Sequence, residues 1–400
     1  MNEGIQKERI KRLARWAGGE RAGPVKIDFE PTHSCNLKCK FCWQRSEDRL
    51  KITNYSRALT EERLLQIVHE AAALGVLEWQ IAGGWEPMAR PDTALRIMNL
   101  IKQYGMFGCL TTNGTLFTEE SARNLVEIGW DKILFSLEGP NPEIHDYVTG
   151  VAGSFERSVN TMRYFKKYRE EYGSRVPAYS FHAVLTNRNY NHLKEMVEWG
   201  HELGCDGVCF EPLNVWSEAG ETLKLSEGQK TEFQKGIQEA LELSWKLSVP
   251  TNLESLQESR LIDKTKMDMI LVDDAKKKPS DDPFLSAPCY EPWLNMEIRA
   301  SGHVVMCRLC DFQDDAEKIH SRPLHEIWYG PYFAKLREDV VSGRLPSYCR
   351  TCASGIVVET RKTRDSLARL LKSPLHKLRN RIRNNHRLSP LVQGTPRNFQ

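Results

Sequence analysis

No apolar run in these 400 residues is long enough to span a bilayer, and no signal-peptide-like hydrophobic segment follows Met1; a spanning helix needs about 20 predominantly apolar residues. Membrane integration and export are not expected, and the chain reads as cytoplasmic. No charge of one sign dominates either. The formal net charge is +3 with 27% charged residues, which gives no global sign of a nucleic-acid binder. Cysteine stops at Cys352, with none in the last 48 residues, but it is not scarce before that: the chain has eleven. In a cytoplasmic protein they are better read as metal ligands than as disulfides, and oxygen-poor working conditions follow as an expectation.

From about residue 25 to 215, strand-like runs alternate with helix-like ones, the pattern of successive β-α units around a parallel sheet. The expected strands are Val25 to Phe29, Glu78 to Ala82, Phe107 to Thr112, Lys132 to Leu137, Tyr179 to Leu185 and Gly207 to Glu211. Helical patterns fall at 61–74, 92–104, 118–128, 155–171 and 190–203. Six such units predict an α/β fold, a partial (β/α)6 barrel of the TIM type. In such barrels the working groups sit on loops that follow strand C-termini. The expected division is a basic helical extension at 1–24, the barrel at 25–215, a helix and polar linker at 216–288, a small α+β domain at 289–360 and a basic tail at 361–400.

The loop after the first strand carries Cys35, Cys39 and Cys42, spaced three and then two residues apart. A four-iron cube takes one thiolate per iron, so three cysteines leave one iron open to a ligand from outside the protein. A zinc site is the plain alternative, with His33 as a possible fourth ligand. The CxxxCxxC spacing resembles the signature of the radical S-adenosylmethionine (SAM) superfamily. That resemblance implies a [4Fe–4S] cluster whose open iron holds the amino and carboxylate groups of SAM. It further implies reductive cleavage of SAM to a 5′-deoxyadenosyl radical that takes hydrogen from a substrate.

The resemblance continues along the barrel. Ala82-Gly83-Gly84-Trp85-Glu86-Pro87 is similar to the family's GGEP segment, with Trp85 standing between the glycines and Glu86. Glycine permits close backbone approach there, and the resemblance assigns Gly83, Gly84 and Glu86 to the methionine ammonium of SAM. Thr111-Thr112-Asn113-Gly114 matches a TNG element, which adds Asn113 to the cofactor-binding set. Ser136-Leu137-Glu138-Gly139-Pro140, with His145 and Asp146, is similar to an S-L-D-G-P…HD pattern, with Glu138 in place of aspartate. By the resemblance, Ser136 approaches the methionine carboxylate and Glu138 the ribose side.

A second cysteine group comprises Cys289, Cys307, Cys310, Cys349 and Cys352. The Cys307/Cys310 and Cys349/Cys352 pairs admit a zinc ribbon, although their separation exceeds the usual spacing of roughly 15 to 20 residues. Cys289, Gly302 ahead of Cys307, Leu324 to Trp328, and Leu345 to Cys352 together resemble the SPASM and shorter twitch extensions of radical SAM enzymes. Those hold auxiliary iron–sulfur clusters. With no cysteine after Cys352, one auxiliary [4Fe–4S] cluster is expected, ligated by Cys289, Cys307, Cys349 and Cys352, with Cys310 as an alternative ligand. Full ligation would suit an electron conduit better than substrate binding at iron.

Cys109, Cys205 and Cys209 remain, and core packing is their default. Cys209 shares a strand face with Glu211, which makes the two candidates for hydrogen donor and for base or substrate anchor. The basic stretch Gln6 to Arg15 and the tail from Arg361 could contact an anionic surface. The segment before Val25 is too short for the extra leader-recognition domain of some peptide-modifying relatives. The reading these features support is a radical SAM enzyme, an oxidoreductase that dehydrogenates a small polyol, sugar or aminocyclitol, fed by an electron donor such as flavodoxin or ferredoxin. Maturation, cross-linking or epimerisation of a peptide or protein side chain is the alternative. A non-catalytic iron–sulfur or zinc protein is the answer of another class.

Overall fold

In most of the expected strands every second residue is apolar, and in the computed structural model those residues point one way, toward a shell of helices. The structure describes residues 3–46, 58–82, 84–258, 282–307, 317–346, 349, 352 and 354–372. Gly83, Cys310, residues 259–281 and the tail from 373 lie outside them.

Helix α1 (Glu3–Ala17) precedes strand β1 (Lys26–Phe29). Then come α2 (Glu61–Ala73), β2 (Glu78–Ile81), α3 (Pro91–Gln103), β3 (Phe107–Thr112), α4 (Glu119–Glu127) and β4 (Lys132–Ser136). Two helices, α5 (Pro142–Thr149) and α6 (Ser154–Glu171), lead to β5 (Ala178–Leu185), α7 (Leu193–Glu202) and β6 (Val208–Pro212). Helices α8 (Glu218–Glu221), α9 (Glu227–Leu247) and α10 (Leu253–Glu258) follow, then α11 (Glu291–Leu294), β7 (Asn295–Ile298), β8 (His303–Val305) and β9 (Glu317–Lys318). The last helices are α12 (Leu324–Trp328), α13 (Pro331–Val341) and α14 (Ser354–Lys372), the last running past residue 360 into the basic segment.

Strands β1 to β6 lie side by side in chain order and all run parallel, which makes the partial (β/α)6 barrel. The sheet continues on the other flank of β1. There β7 pairs parallel to β1, β8 pairs antiparallel to β7 and β9 antiparallel to β8, so the C-terminal region extends the barrel sheet itself.

Ile27, Phe29, Trp79, Ile81, Leu110, Ile133, Phe135, Phe181 and Phe210 join helix residues such as Ile67, Ile97, Leu125, Phe165 and Val197 in one core. Each fully buried side chain of this kind contributes about 1.5–3 kcal/mol relative to exposure. A second, smaller core gathers Ile5 and Leu13 of α1 with Cys289, Trp293 and Leu294, Val340 of α13 and Leu367 of α14. The N-terminal helix is therefore part of the C-terminal region's packing. Its basic residues are not all free for a surface: Arg12 is buried and donates to the carbonyls of Gly23, Pro24 and Gly75, and buried Arg9 lies 3.7 Å from both Glu291 and Glu359.

Local signals set the helix starts. Thr118 and Ser121 form a reciprocal capping box on α4. Asp146 on α5 caps α6 from outside, accepting from Gly153 N, Ser154 Oγ and Phe155 N at 2.6 to 2.8 Å. The carboxylate at this helix N-terminus also suits the macrodipole. Among the described residues no helix is long and apolar enough to cross a membrane.

Candidate functional site

The cysteine loop leaves the C-terminal end of β1 and is tied down by α5. Lys38 N donates to the Thr149 carbonyl at 2.9 Å and Lys40 N to that of Val148 at 3.0 Å. These carbonyls are free because a helix C-terminus leaves its last ones without intrahelical donors. Gly150 ends α5 at φ +71°, and a Cβ there would stand 2.8 Å from the Lys38 carbonyl oxygen. Glycine is required for the loop to come this close.

Within the loop, Cys42 N donates to the Cys39 carbonyl and Leu37 N points at Cys35 Sγ, 3.4 Å away. Burial pushes the thiols of Cys35, Cys39 and Cys42 up, and each of the first two is raised further by the charge of neighbouring thiols in the set. The three are thus gathered where only a strongly charged partner would favour the thiolates, which fits a soft-ligand metal or iron–sulfur group. Among the described residues no three such side chains are yet drawn to coordination distance.

Glu86 joins the loops after β2 and β3. Its buried carboxylate accepts from Met88 N at 3.0 Å, Thr112 Oγ1 at 2.6 Å and Asn113 N at 2.7 Å. Burial pushes its acid up, and these three hydrogen bonds pull the other way. Asn113 carries the connection onward: its amide donates to Asn36 Oδ1 at 3.1 Å, and the same nitrogen lies 4.0 Å from Cys35 Sγ. Gly84 packs against Glu30, whose carboxyl carbon a Cβ would meet at 2.8 Å.

Ser136 and Glu138 leave the end of β4 differently. Ser136 Oγ is 2.8 Å from His182 Nε2, and His182 Nδ1 is 3.7 Å from Glu211 Oε1. Burial lowers the His182 pKa and Glu211 opposes that. Glu138 is fully buried; its carboxylate accepts from Val184 N at 2.8 Å. Burial and then Glu211 push its acid up to about 8, against the pull of that hydrogen bond. Cys209 faces His182 across β5 and β6, on the same face as Glu211. Cys205 packs against the core, as expected, whereas Cys109 is buried on the inner face of β3, opposite Gln80.

His145 is a structural acceptor: Glu138 N donates to its Nδ1 at 3.0 Å. Burial, set against Asp146, holds its pKa down to about 4. A proton on Nδ1 would turn the acceptor into a donor facing a donor. The folded value lies below the ordinary 6.5, so this contribution is complete above pH 6.5 and is lost as pH falls toward 4. The loss should reach about 3 kcal/mol from a shift of roughly two and a half units. Urea unfolding at pH 7 and 4.5 should show that H145N, whose amide oxygen can occupy the Nδ1 position, has a flatter pH dependence than the parent. Equal slopes would show that His145 is not held neutral.

In the second group, Cys289 lies just before α11; burial and then the charge of Glu291 push its thiol up, with smaller contributions from Cys349 and Cys352. Cys307 follows β8 by two residues and packs, with Cys349, on the main core. The cysteine spacing found these positions. It did not find His182, Asp28, Asn295 or Glu297, which face the barrel interior.

Residues 29–200 match the family model described as the radical SAM superfamily, and residues 289–353 match one described as an iron–sulfur cluster-binding domain. The PqqA peptide cyclase of Ruegeria pomeroyi is 26% identical over 337 residues, covering 82% of this chain and 79% of that protein. Streptococcus suis SuiB bound to the precursor peptide SuiA is similar in fold, with a TM-score of 0.57 at 17% identity over 87% of this chain and 73% of that one. The anSMEcpe structure with bound AdoMet and the Cp18Cys peptide has a TM-score of 0.54 at 17% identity, over 91% of this chain and 99% of that one.

Proposed function

Because this chain belongs to the radical SAM superfamily and carries an iron–sulfur cluster-binding domain at its C-terminus, we propose that it modifies a side chain of a peptide or protein. The observation that carries this reading is the span of the peptide-cyclase match, which runs through most of the chain. A polyol, sugar or aminocyclitol, expected from the cysteine layout, has no comparable support. SAM and [4Fe–4S] clusters, one of them auxiliary, are its cofactors; bound, they supply the 5′-deoxyadenosyl radical.

Cys35, Cys39 and Cys42 would hold the SAM-binding cluster, and Cys289, Cys307, Cys349 and Cys352 the auxiliary one. Gly84, Asn113 and Ser136 stand on the loops and strand end around the first cysteine set, where Gly83 would join them. Glu86 keeps two of these loops together, and Glu138 braces β5 from beneath. Glu211 and Cys209, on one face of β6, would meet substrate.

The test is anaerobic incubation of the reduced, cluster-reconstituted protein with SAM and synthetic short peptides encoded beside its gene, with scyllo-inositol and 2-deoxystreptamine as rivals. A peptide should raise 5′-deoxyadenosine formation roughly tenfold, about 1.4 kcal/mol of transition-state stabilisation, and lose a pair of hydrogen atoms by mass. Stimulation by a polyol or aminocyclitol alone would overturn the reading.

A further inference from the structure

Parallel barrels usually fill their interior with branched apolar side chains, but the inner face here is polar on β1 and β7. Lys26 and Asp28 pair in register with Asn295 and Glu297. Their strand neighbours Ile27, Phe29, Met296 and Ile298 belong to the core under the helices, so the polar set faces the other way, into the barrel. Asp28 is 5% exposed, Asn295 4%, Glu297 2% and Arg299 1%.

Most of the polar atoms are paired. Lys26 Nζ lies 2.9 Å from Asp28 Oδ1, Asn295 Nδ2 donates to Asp28 Oδ2 at 2.8 Å, and Arg299 Nε donates to Glu297 Oε1 at 3.1 Å. Two buried acceptors of this set, Asn295 Oδ1 and Glu297 Oε2, have no hydrogen-bond partner among the described residues. The amide orientation is fixed, because only its NH2 can donate to the Asp28 carboxylate. Both orphans are therefore acceptors, two positions apart on one face of β7.

Buried acceptors left without donors are rare because they are costly. The sign of the surroundings selects the donor. Asp28, Glu297 and Glu78, which pairs with Lys26 across β2, set three carboxylates against the two cations Lys26 and Arg299. Water would satisfy the acceptors but leave that excess charge. A positively charged, donor-rich group answers both.

We propose that Asn295 and Glu297 form a subsite for a cationic substrate side chain, an ammonium or a guanidinium. This deepens the peptide reading and rests on it, since lysine and arginine are the peptide residues with that chemistry. The place suits the task. Asp28 lies two residues before Glu30, whose carboxylate abuts Gly84, so the subsite sits just beneath the loops around the cysteine triad.

The test uses cluster-reconstituted protein with SAM and isothermal titration with n-butylamine, n-butylguanidine, butanol and butyrate. The two cations should bind saturably and at least about tenfold tighter than butanol, and butyrate should not bind; E297Q and N295A should each weaken the cations about tenfold. Equal binding of butanol or butyrate, no binding of either cation, or unchanged affinity in the variants would overturn the proposal. If E297Q fails to fold because Arg299 loses its counter-charge, N295A decides, since Asp28 keeps Lys26. Butylamine contains no peptide, so the two readings fail separately. Amine binding with no peptide turnover sinks the peptide reading; turnover indifferent to lysine and arginine, with no amine binding, sinks the subsite.

Discussion

Replacing Cys35, Cys39 and Cys42 together by alanine will lower iron from about eight to about four per chain, given four irons per cube, and will abolish SAM cleavage. The two cysteine groups are independent in the fold. The first hangs from the end of β1 and is held by α5, whereas Cys289 sits in the packing of α1, α11, α13 and α14, and Cys307 and Cys349 lie against the main core in the C-terminal region. Losing the first set should leave the second intact, so the auxiliary cluster should survive with its own electron paramagnetic resonance signal. Iron and sulfide content on anaerobically reconstituted protein, with 5′-deoxyadenosine formation, checks this. Iron near four in the parent that disappears in the variant, with zinc retained, would instead make the C-terminal group a zinc site and remove the electron-conduit role.

The barrel was legible because strand-like runs alternate regularly with helix-like ones from about residue 25 to 215. Each of the six expected strands lies within a residue or so of its place, from Lys26–Phe29 to Val208–Pro212. The cysteine loop and its companions were legible because turn residues after strand ends keep their order in the chain. Helix α5 was hidden, since Pro142 to Thr149 read as a motif and not as an element. Strand β7 was hidden for a different reason. Asn295 to Ile298 is four residues long, and its partner, β1, is some 270 residues earlier, a pairing that no local pattern carries.

The polar interior left a signal that went unused. In Lys26-Ile27-Asp28-Phe29-Glu30 and Asn295-Met296-Glu297-Ile298-Arg299 a charged or amide residue occupies every second position, where strands of a buried parallel sheet usually read as near-continuous apolar runs. Such alternation in a strand covered on both faces marks a polar interior. His182 follows the same logic on β5, between Phe181 and Ala183 of the core.

Glu86→Ala should destabilise the protein by about 3 kcal/mol or more, because it strands three buried donors at roughly 1 kcal/mol or above each. Those donors are Met88 N, Thr112 Oγ1 and Asn113 N, at a site only 2% exposed. Glu86→Gln separates the loops' stability from their alignment. Its amide oxygen can still serve Met88 and Thr112, both of which bond Oε1, while its NH2 would face Asn113 N, donor against donor. The expected cost in urea unfolding is about 1–2 kcal/mol. Asn113 also holds Asn36 beside Cys35, so the displaced loop should misplace the cysteine triad's neighbours and weaken SAM binding about tenfold. The two measurements must part company: a SAM affinity lost well beyond the modest stability change marks Glu86 as the joint between the β2 and β3 loops. If Glu86→Gln binds SAM as the parent does, the glutamate of this GGWEP segment is only a loop brace, and the alignment of Asn113 has another source.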